Sequence, residues 1–322
     1  MSDVMIDARD LTKHYGPVVA LKDASFQVNR GEVVGFLGPN GAGKTTTMKI
    51  LTCFIAPSGG TARVAGADIF EDPIAVRKAI GYLPENTPLY TEMLVLEYLE
   101  FVGKMRGLRG PGLQARLKKV AEETSLGDVI GKAIGELSKG YRQRVGLAQA
   151  LIHEPPVLIL DEPMSGLDPN QAAEIRELIR EIGRERTIIL STHHLAEVRV
   201  TCSRVLIISR GRLVADDTPE ELAARAGKPR FVATVQRNGH SDADVRQAFS
   251  LIDDAQSVQE QVGGTAGELV VEIVPKGNQD LRAEIFKAAV SAKLVLLGLE
   301  QRGENLEDIF RQLTTVNSGT SS

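Results

Sequence analysis

"GPNGAGKTT", Gly38 to Thr46, is the stretch whose reading decides the fold. It fits the pattern G-x-x-x-x-G-K-[S/T], and each fixed position has a physical reason. Glycines let backbone N–H groups wrap a phosphate chain without Cβ clashes. A helix opening at the end of the loop adds the positive end of its dipole. Lys44 supplies a point charge for β- and γ-phosphates, and the Thr45 hydroxyl suits Mg²⁺. The flanks agree with this reading. "EVVGFLG", ending at Gly38, is a short apolar run suited to a buried strand, and "KTTTMKILTCF", from Lys44, reads as a helix. The alternative is a glycine-rich turn without function, but a phosphate cradle needs this strand–loop–helix order and a plain turn does not.

Further along, "PVLILDEP" is another buried strand, ending in Asp161 and Glu162. "AAEIRELIREIG" is helical and "TIILSTHH" is again an apolar strand. Strands alternating with helices imply a mainly parallel, doubly wound α/β sheet, whose ligands sit at the carboxyl ends of the strands. At that edge Asp161 is placed for a Mg²⁺ shell, and Glu162 for polarising a water that attacks a γ-phosphate. An acid pair capping the next helix is the competing reading. His193, first after its strand, is the candidate to reach the γ-phosphate, although spacing alone leaves a structural histidine equally open; His194 is expected to face solvent. Thr91 to Leu108 carries helical spacing, with Val95, Tyr98, Leu99, Val102 and Met105 on one face. In "ELSKGYRQRVGLAQAL" a helix opens at Ser138 with Gly140 in its first turn. Glycine there costs stability unless something must approach the backbone.

The character changes after "GRLVADDTPEELAARAG". From Arg230 the order is strand, helix, two strands, helix, strand, the β-α-β-β-α-β order of a ferredoxin-like split unit. The expected division is an N-terminal domain over 1–227, with a helical subdomain at about 86–155, and a small α+β domain over 228–316. A last helix is expected at "NLEDIFRQLT", and the tail 317–322 reads as disordered.

Among 322 residues with 43% hydrophobic content, the net charge of −4 offers no electrostatic case for nucleic-acid binding. Cys53 and Cys202 are far apart and outside any CxxC pattern, so two reduced thiols in a cytosolic protein are expected. The N-terminus has no apolar core of a signal peptide. No stretch approaches the roughly 18 apolar residues of a membrane span. The expectation is a soluble chain whose membrane role, if any, comes through a partner.

Taken together, the motifs resemble those of the nucleotide-binding subunit of ATP-binding-cassette (ABC) transporters, over roughly Met5 to Ala226. "LSKGYRQR" resembles the family's LSGGQ signature, "SGLDP" from Ser165 to Pro169 its D-loop, and "STHHL" its switch-histidine loop. The resemblance implies a P-loop NTPase core with antiparallel β and helical subdomains. It implies ATP bound by Gly38, Pro39, Asn40, Gly41, Ala42, Gly43, Lys44, Thr45 and Thr46, with Tyr15 of "KHYG" stacked on adenine. Glu162 and His193 would be catalytic, and Thr45, Asp161 and Glu85 would face Mg²⁺. Three departures stand out. Glu85 replaces the usual glutamine after "GYLP", and a carboxylate cannot donate a hydrogen bond as an amide does. Lys139 and Tyr141 replace a glycine and the glutamine of the signature. Leu94 replaces a threonine able to cap a helix.

"GYLPENTPLY", "LSKGYRQR" and "LEDIF" look most like single-domain bacterial ATPases serving ABC-2-type exporters, including those of drug export, surface-polymer export and gliding motility. The implied mechanism is a head-to-tail homodimer with two composite sites, in which Ser138 and Gly140 of one subunit meet the γ-phosphate held by the other. Separate transmembrane permease subunits would dock beside Glu85 to Arg109, holding the cytoplasmic subunit on the inner face of the cell membrane. The apolar residues of "LVLEYLEF" read either as a groove for a partner helix or as ordinary packing of the helical subdomain. The C-terminal domain reads as a packing and dimer-stabilising appendage. Two other functions compete: a soluble ABC ATPase of translation or DNA repair, usually with two cassettes or a coiled-coil insertion, and a nucleotide-gated binding module. Lys44, Asp161, Glu162 and His193 argue against the latter.

Overall fold

The computed structural model describes residues 3–225, 229–261, 267–277, 279–302, 310 and 313–314. The chain divides into two compact units, Met1–Pro219 with Leu313–Ser322, and Glu220–Gln312.

The first unit opens with a long hairpin, β1 (Val4–Tyr15) and β2 (Val18–Asn29), followed by β3 (Val33–Leu37) and α1 (Lys44–Leu51). Strands β4 (Gly59–Val64) and β5 (Ala67–Asp68) join the hairpin in an antiparallel sheet of order β2-β1-β4-β5. Helix α2 (Pro73–Ala79) leads into β6 (Ile80–Leu83). A helical segment then intervenes: α3 (Val95–Met105), α4 (Gly110–Glu123) and α5 (Lys139–Leu151). The chain returns through β7 (Val157–Asp161), α6 (Pro169–Gly183), β8 (Thr187–Thr192), α7 (Leu195–Thr201), β9 (Arg204–Ser209) and β10 (Arg212–Asp217).

The second sheet has the order β10-β9-β3-β8-β7-β6, parallel throughout except for the β10 edge. Every residue of β7 and β8 is buried, as central strands covered on both faces require. Phe36, Met48, Ile50, Ile159 and Ile189 share one core with Leu11 and Leu21 of the hairpin. Register is what builds the site. Leu37 lies beside Thr192, and Asp161 beside Ser191, so β3, β7 and β8 finish level with one another. The residues that follow those ends are Gly38, Glu162 and His193.

The face expected on α3 is only partly buried. Val95, Tyr98 and Leu99 are buried, but Val102 is half-buried and Met105 is 74% exposed. Packing shifts instead to Gly103, where an added Cβ would lie 2.5 Å from Leu113 Cδ1, so α4 approaches the backbone there. At the start of α3, where a leucine side chain cannot cap, the Val95 and Leu96 N–H groups donate to the carbonyls of Lys132 and Ile130, each at 3.0 Å, and the Leu94 N–H donates to the Glu97 carboxylate at 3.1 Å. At the far end of α5, Arg116 donates to the carbonyls of Leu151 and Ile152 at 2.9 and 3.1 Å, a cation on the negative end of a helix.

Helix α8 (Pro219–Arg225) precedes the second unit's sheet. Here β11 (Arg230–Gln236), α9 (Asp242–Ser250), β12 (Ala255–Gln261), β13 (Glu268–Pro275), α10 (Arg282–Ser291) and β14 (Val295–Arg302) follow the expected order. The sheet runs β12-β13-β11-β14, antiparallel at each pairing. Phe231, Ala233 and Val235 on alternate positions of β11 pack against Val245 and Phe249 of α9 and Ile285 of α10 in a separate core. Most of "NLEDIFRQLT" and the tail 317–322 lie outside the described residues. Leu313 and Thr314 belong with the first unit, where the Ser209 hydroxyl donates to the Thr314 carbonyl at 3.3 Å.

Candidate active site

A cleft of about 500 Å³ lies over the end of the parallel sheet. Pro39, Asn40, Gly41, Gly43, Lys44, Thr45 and Thr46 line it, together with Glu85, Glu162 and His193. Gly38 and Ala42 face the other way. A Cβ on Gly38 would sit 2.5 Å from the Ile208 carbonyl, and one on Gly43 2.6 Å from the Ala20 carbonyl. Ala42 is buried, and its carbonyl accepts the Gly211 N–H at 2.8 Å. These residues seat the loop on β2 and β9. Gly41 has φ 78° with open space around it, so there conformation rather than room demands glycine. Among the described residues no side chain caps the start of α1, which leaves N–H groups at the loop–helix junction available to an anion.

The Lys44 ammonium, almost fully buried, donates to the Gly38 carbonyl at 2.7 Å and lies 3.3 Å from Glu162 Oε1. Both oxygens of the Glu162 carboxylate are 3.0 Å from His193 Nδ1. Glu162 itself has φ 49°, a left-handed conformation that costs about 1–2 kcal/mol for a residue with a Cβ. Its N–H donates to the carbonyl and hydroxyl of Ser191, each at 3.1 Å, and these bonds hold the turn.

The Ser191 hydroxyl donates to Asp161 Oδ1. Asp161 is 1% exposed, and among the described residues its Oδ2 has no hydrogen-bond partner. A buried carboxylate oxygen left unpaired calls for a ligand. With the Thr45 hydroxyl and the Glu85 carboxylate, the donors are all hard oxygens, which fits Mg²⁺. Mg²⁺ commonly takes one or two carboxylates and completes its shell with substrate phosphates and water. Burial, aided by the charge of Asp161, pushes the Tyr82 phenol well above its ordinary range.

The remaining sequence candidates lie elsewhere. Ser138 and Gly140 line a separate hollow of about 220 Å³ with Tyr141, Arg144 and Gln171. The Ser138 hydroxyl caps α5 by accepting the Tyr141 N–H at 3.3 Å. Gly140 is buried against Gln171, whose Cδ would lie 2.9 Å from an added Cβ. Close packing within the chain, not only an approaching ligand, therefore accounts for this glycine. Tyr15 stands at the hairpin turn, 48% exposed and outside the cleft lining, with the Lys13 ammonium 5.4 Å from its ring centre. His194 is exposed as expected, and its ring lies against that of His193 with centres 3.9 Å apart and planes tilted by 42°. Sequence reasoning placed Ser165 in the D-loop-like stretch without a role at the cleft, and gave Ala20, Ser191 and Thr192 no role. The signal for the last two was present: two hydroxyls at the end of an otherwise apolar, fully buried strand.

Comparison with known proteins agrees with this geometry. The family model described as "ABC transporter" matches residues 21–165. The chain is 33% identical over 310 residues to an uncharacterized ABC transporter ATP-binding protein of Bacillus subtilis, YxlF, covering 95% of this chain and 98% of that one. It is 36% identical to the daunorubicin resistance ATP-binding protein DrrA2 of Streptomyces coeruleorubidus, covering 98% and 96%. A solved ATP-binding subunit of an ABC transporter, 32% identical, superposes with a TM-score of 0.62 over 69% of this chain and 92% of its own. A phosphate loop, the acid at a strand end and a histidine lining one cleft define a P-loop nucleotide-binding site. The chain belongs to the ATP-binding proteins of ABC transporters.

Proposed function

We propose that this subunit energises export through separate membrane subunits, and that Glu162 is the general base of its ATPase site. The observation that carries the assignment is the Glu162 carboxylate held at the mouth of the phosphate loop between Lys44 and His193. Lys44 and the loop N–H groups bind the β- and γ-phosphates, Lys44 exchanging the Gly38 carbonyl for an anionic phosphate oxygen, the stronger acceptor. Glu162 orients and deprotonates the attacking water, and His193 contacts the γ-phosphate. Thr45, Asp161 and Glu85 are the residues that would hold Mg²⁺, which supplies charge neutralisation of the phosphates when bound. Replacing Glu162 with Gln keeps shape and removes the base. We expect turnover to fall by at least about 100-fold with ATP binding retained and a dimer that persists in ATP. Wild-type hydrolysis by that variant would take the role away from Glu162.

The composite-site reading rests on Ser138 and Gly140 lining a hollow of their own rather than the cleft. In a head-to-tail homodimer they would meet the nucleotide held by the facing Lys44 loop. Docking of the permease subunits is assigned to the segment from Glu85 to Arg109. Tyr90, Leu96, Phe101 and Met105 are exposed there, and Met105 and Arg106 line an apolar groove of about 410 Å³ with Phe54 and Tyr82. Among the described residues no helix is long and apolar enough to cross a membrane, so attachment to the inner face of the membrane is assigned to the permease. Relatives named for drug resistance favour export over a role in translation or DNA repair. The C-terminal unit is read as a ferredoxin-like appendage that stabilises the dimer.

A further inference from the structure

His193 has the Glu162 carboxylate as its side-chain hydrogen-bond partner, yet its usefulness depends on where its backbone holds it. The residue before it, Thr192, is a node. Its carbonyl accepts the N–H of Gly38 at 3.3 Å, at the start of the phosphate loop. Its hydroxyl donates to Glu197 Oε2 at 2.7 Å and accepts the N–H of His194 at 3.0 Å. A threonine hydroxyl has one hydrogen, and an ionised carboxylate only accepts. Glu197 therefore takes that hydrogen and leaves a lone pair aimed at the His194 N–H. The peptide units on both sides of His193 are thereby fixed, one to the phosphate loop and one to the first turn of α7.

We infer that Glu197 is a positioning residue for His193, acting through the Thr192 hydroxyl. The inference rests on the reading of His193 as a γ-phosphate contact. Without the Glu197 acceptor the hydroxyl is free to rotate, and the His194 N–H loses its oriented partner. The histidine then samples positions of lower reactivity, and small displacements of a reacting group are costly in rate. Glu197 also sits in the first turn of a helix, where any acid is mildly stabilising, so the competing role is stability alone.

The test measures kcat, KM for ATP, nucleotide Kd and Tm in the full-length chain. Glu197→Ala is expected to lower kcat about tenfold while Kd for a fluorescent ATP analogue changes less than about twofold. Glu197→Gln, whose amide oxygen still accepts from Thr192, should recover kcat to within about threefold of wild type. Thr192→Val removes the node and should match Glu197→Ala, with no added loss when the two are combined. In a His193→Ala background, adding Glu197→Ala should change kcat by less than about twofold, because nothing is left to position. A full Glu197→Ala effect in that background, or Gln as damaging as Ala with a lowered Tm, overturns the proposal in favour of stability. Wild-type kcat in Glu197→Ala beside a crippled His193→Ala also overturns it and leaves His193 in its role. Wild-type kcat in His193→Ala removes the reading on which the inference stands.

Discussion

Helices α1 and α5 each open beside a glycine, and their N-termini are finished in opposite ways. At α1, Gly43 with φ 115° precedes Lys44, and no described side chain accepts from the first N–H groups. At α5, Ser138 already takes the Tyr141 N–H, and Gly140 is packed against Gln171. An uncapped N-terminus inside a cleft is preorganised for an anion, because nothing internal has to be given up. A capped one is complete in the free chain, so an incoming phosphate must compete with the cap. The contrast separates an open anion-binding helix start at α1 from one at α5 that is already satisfied within the chain.

The comparison can be broken most forcefully at Gly43. Its alanine variant meets a backbone carbonyl that cannot yield, at a φ alien to alanine, and should lose about 2–4 kcal/mol in urea unfolding. Gly41→Ala, at a similar sign of φ but in open space, should cost about 1 kcal/mol. Equal losses would mean that conformation alone, not seating on β2, explains both. Ser138→Ala should cost about 1 kcal/mol of stability through the lost cap, read as a lowered Tm without nucleotide. No change would make the start of α5 as open as that of α1.

Gly140→Ala tests why that glycine is there. The Gln171 side chain is flexible, so the stability loss should stay within about 1 kcal/mol and vanish in a Gly140→Ala, Gln171→Ala double variant. If ATP-stabilised dimerisation stays impaired in the double variant, the glycine also serves an approaching ligand; full recovery leaves packing as its whole reason. The smallest effect at neutral pH lies at the other end of α5. Burial, with the charges of Arg106 and Arg116 adding to it, lowers the His153 pKa to about 4, partly offset by its contact with the Ile80 carbonyl. The unfolded chain takes up this proton near pH 6.5 and the folded chain only near pH 4, so stability is complete above about 6.5 and falls between the two. His153→Gln should flatten that part of the stability–pH curve, and an unchanged slope would assign it to other groups.

Much of the fold was legible because its signals are local. The apolar runs of β3, β7 and β8, the glycine pattern of the loop and the hydroxyl at Ser138 each act within a few residues. Met105 misled, because helical spacing marks a face but not how far a neighbour covers it, and α4 leaves it bare by closing on Gly103 instead. Ser191 was overlooked because its partners, Asp161 and the Glu162 N–H, lie about thirty residues away and meet it only through parallel pairing.

By itself the sequence determined which segments would be strand, loop and helix, and which side chains carry phosphate chemistry. Those choices follow from backbone sterics, hydrophobic period and the donors and acceptors of single residues. Only the tertiary structure decided that Ser138 and Gly140 line a hollow apart from the Lys44 cleft, that Ser191 holds both Asp161 and the Glu162 turn, and that Thr192 ties the histidine to both the loop and Glu197. Strand register and helix docking settle such matters, and they depend on the packing of residues distant in the chain, which no local pattern encodes.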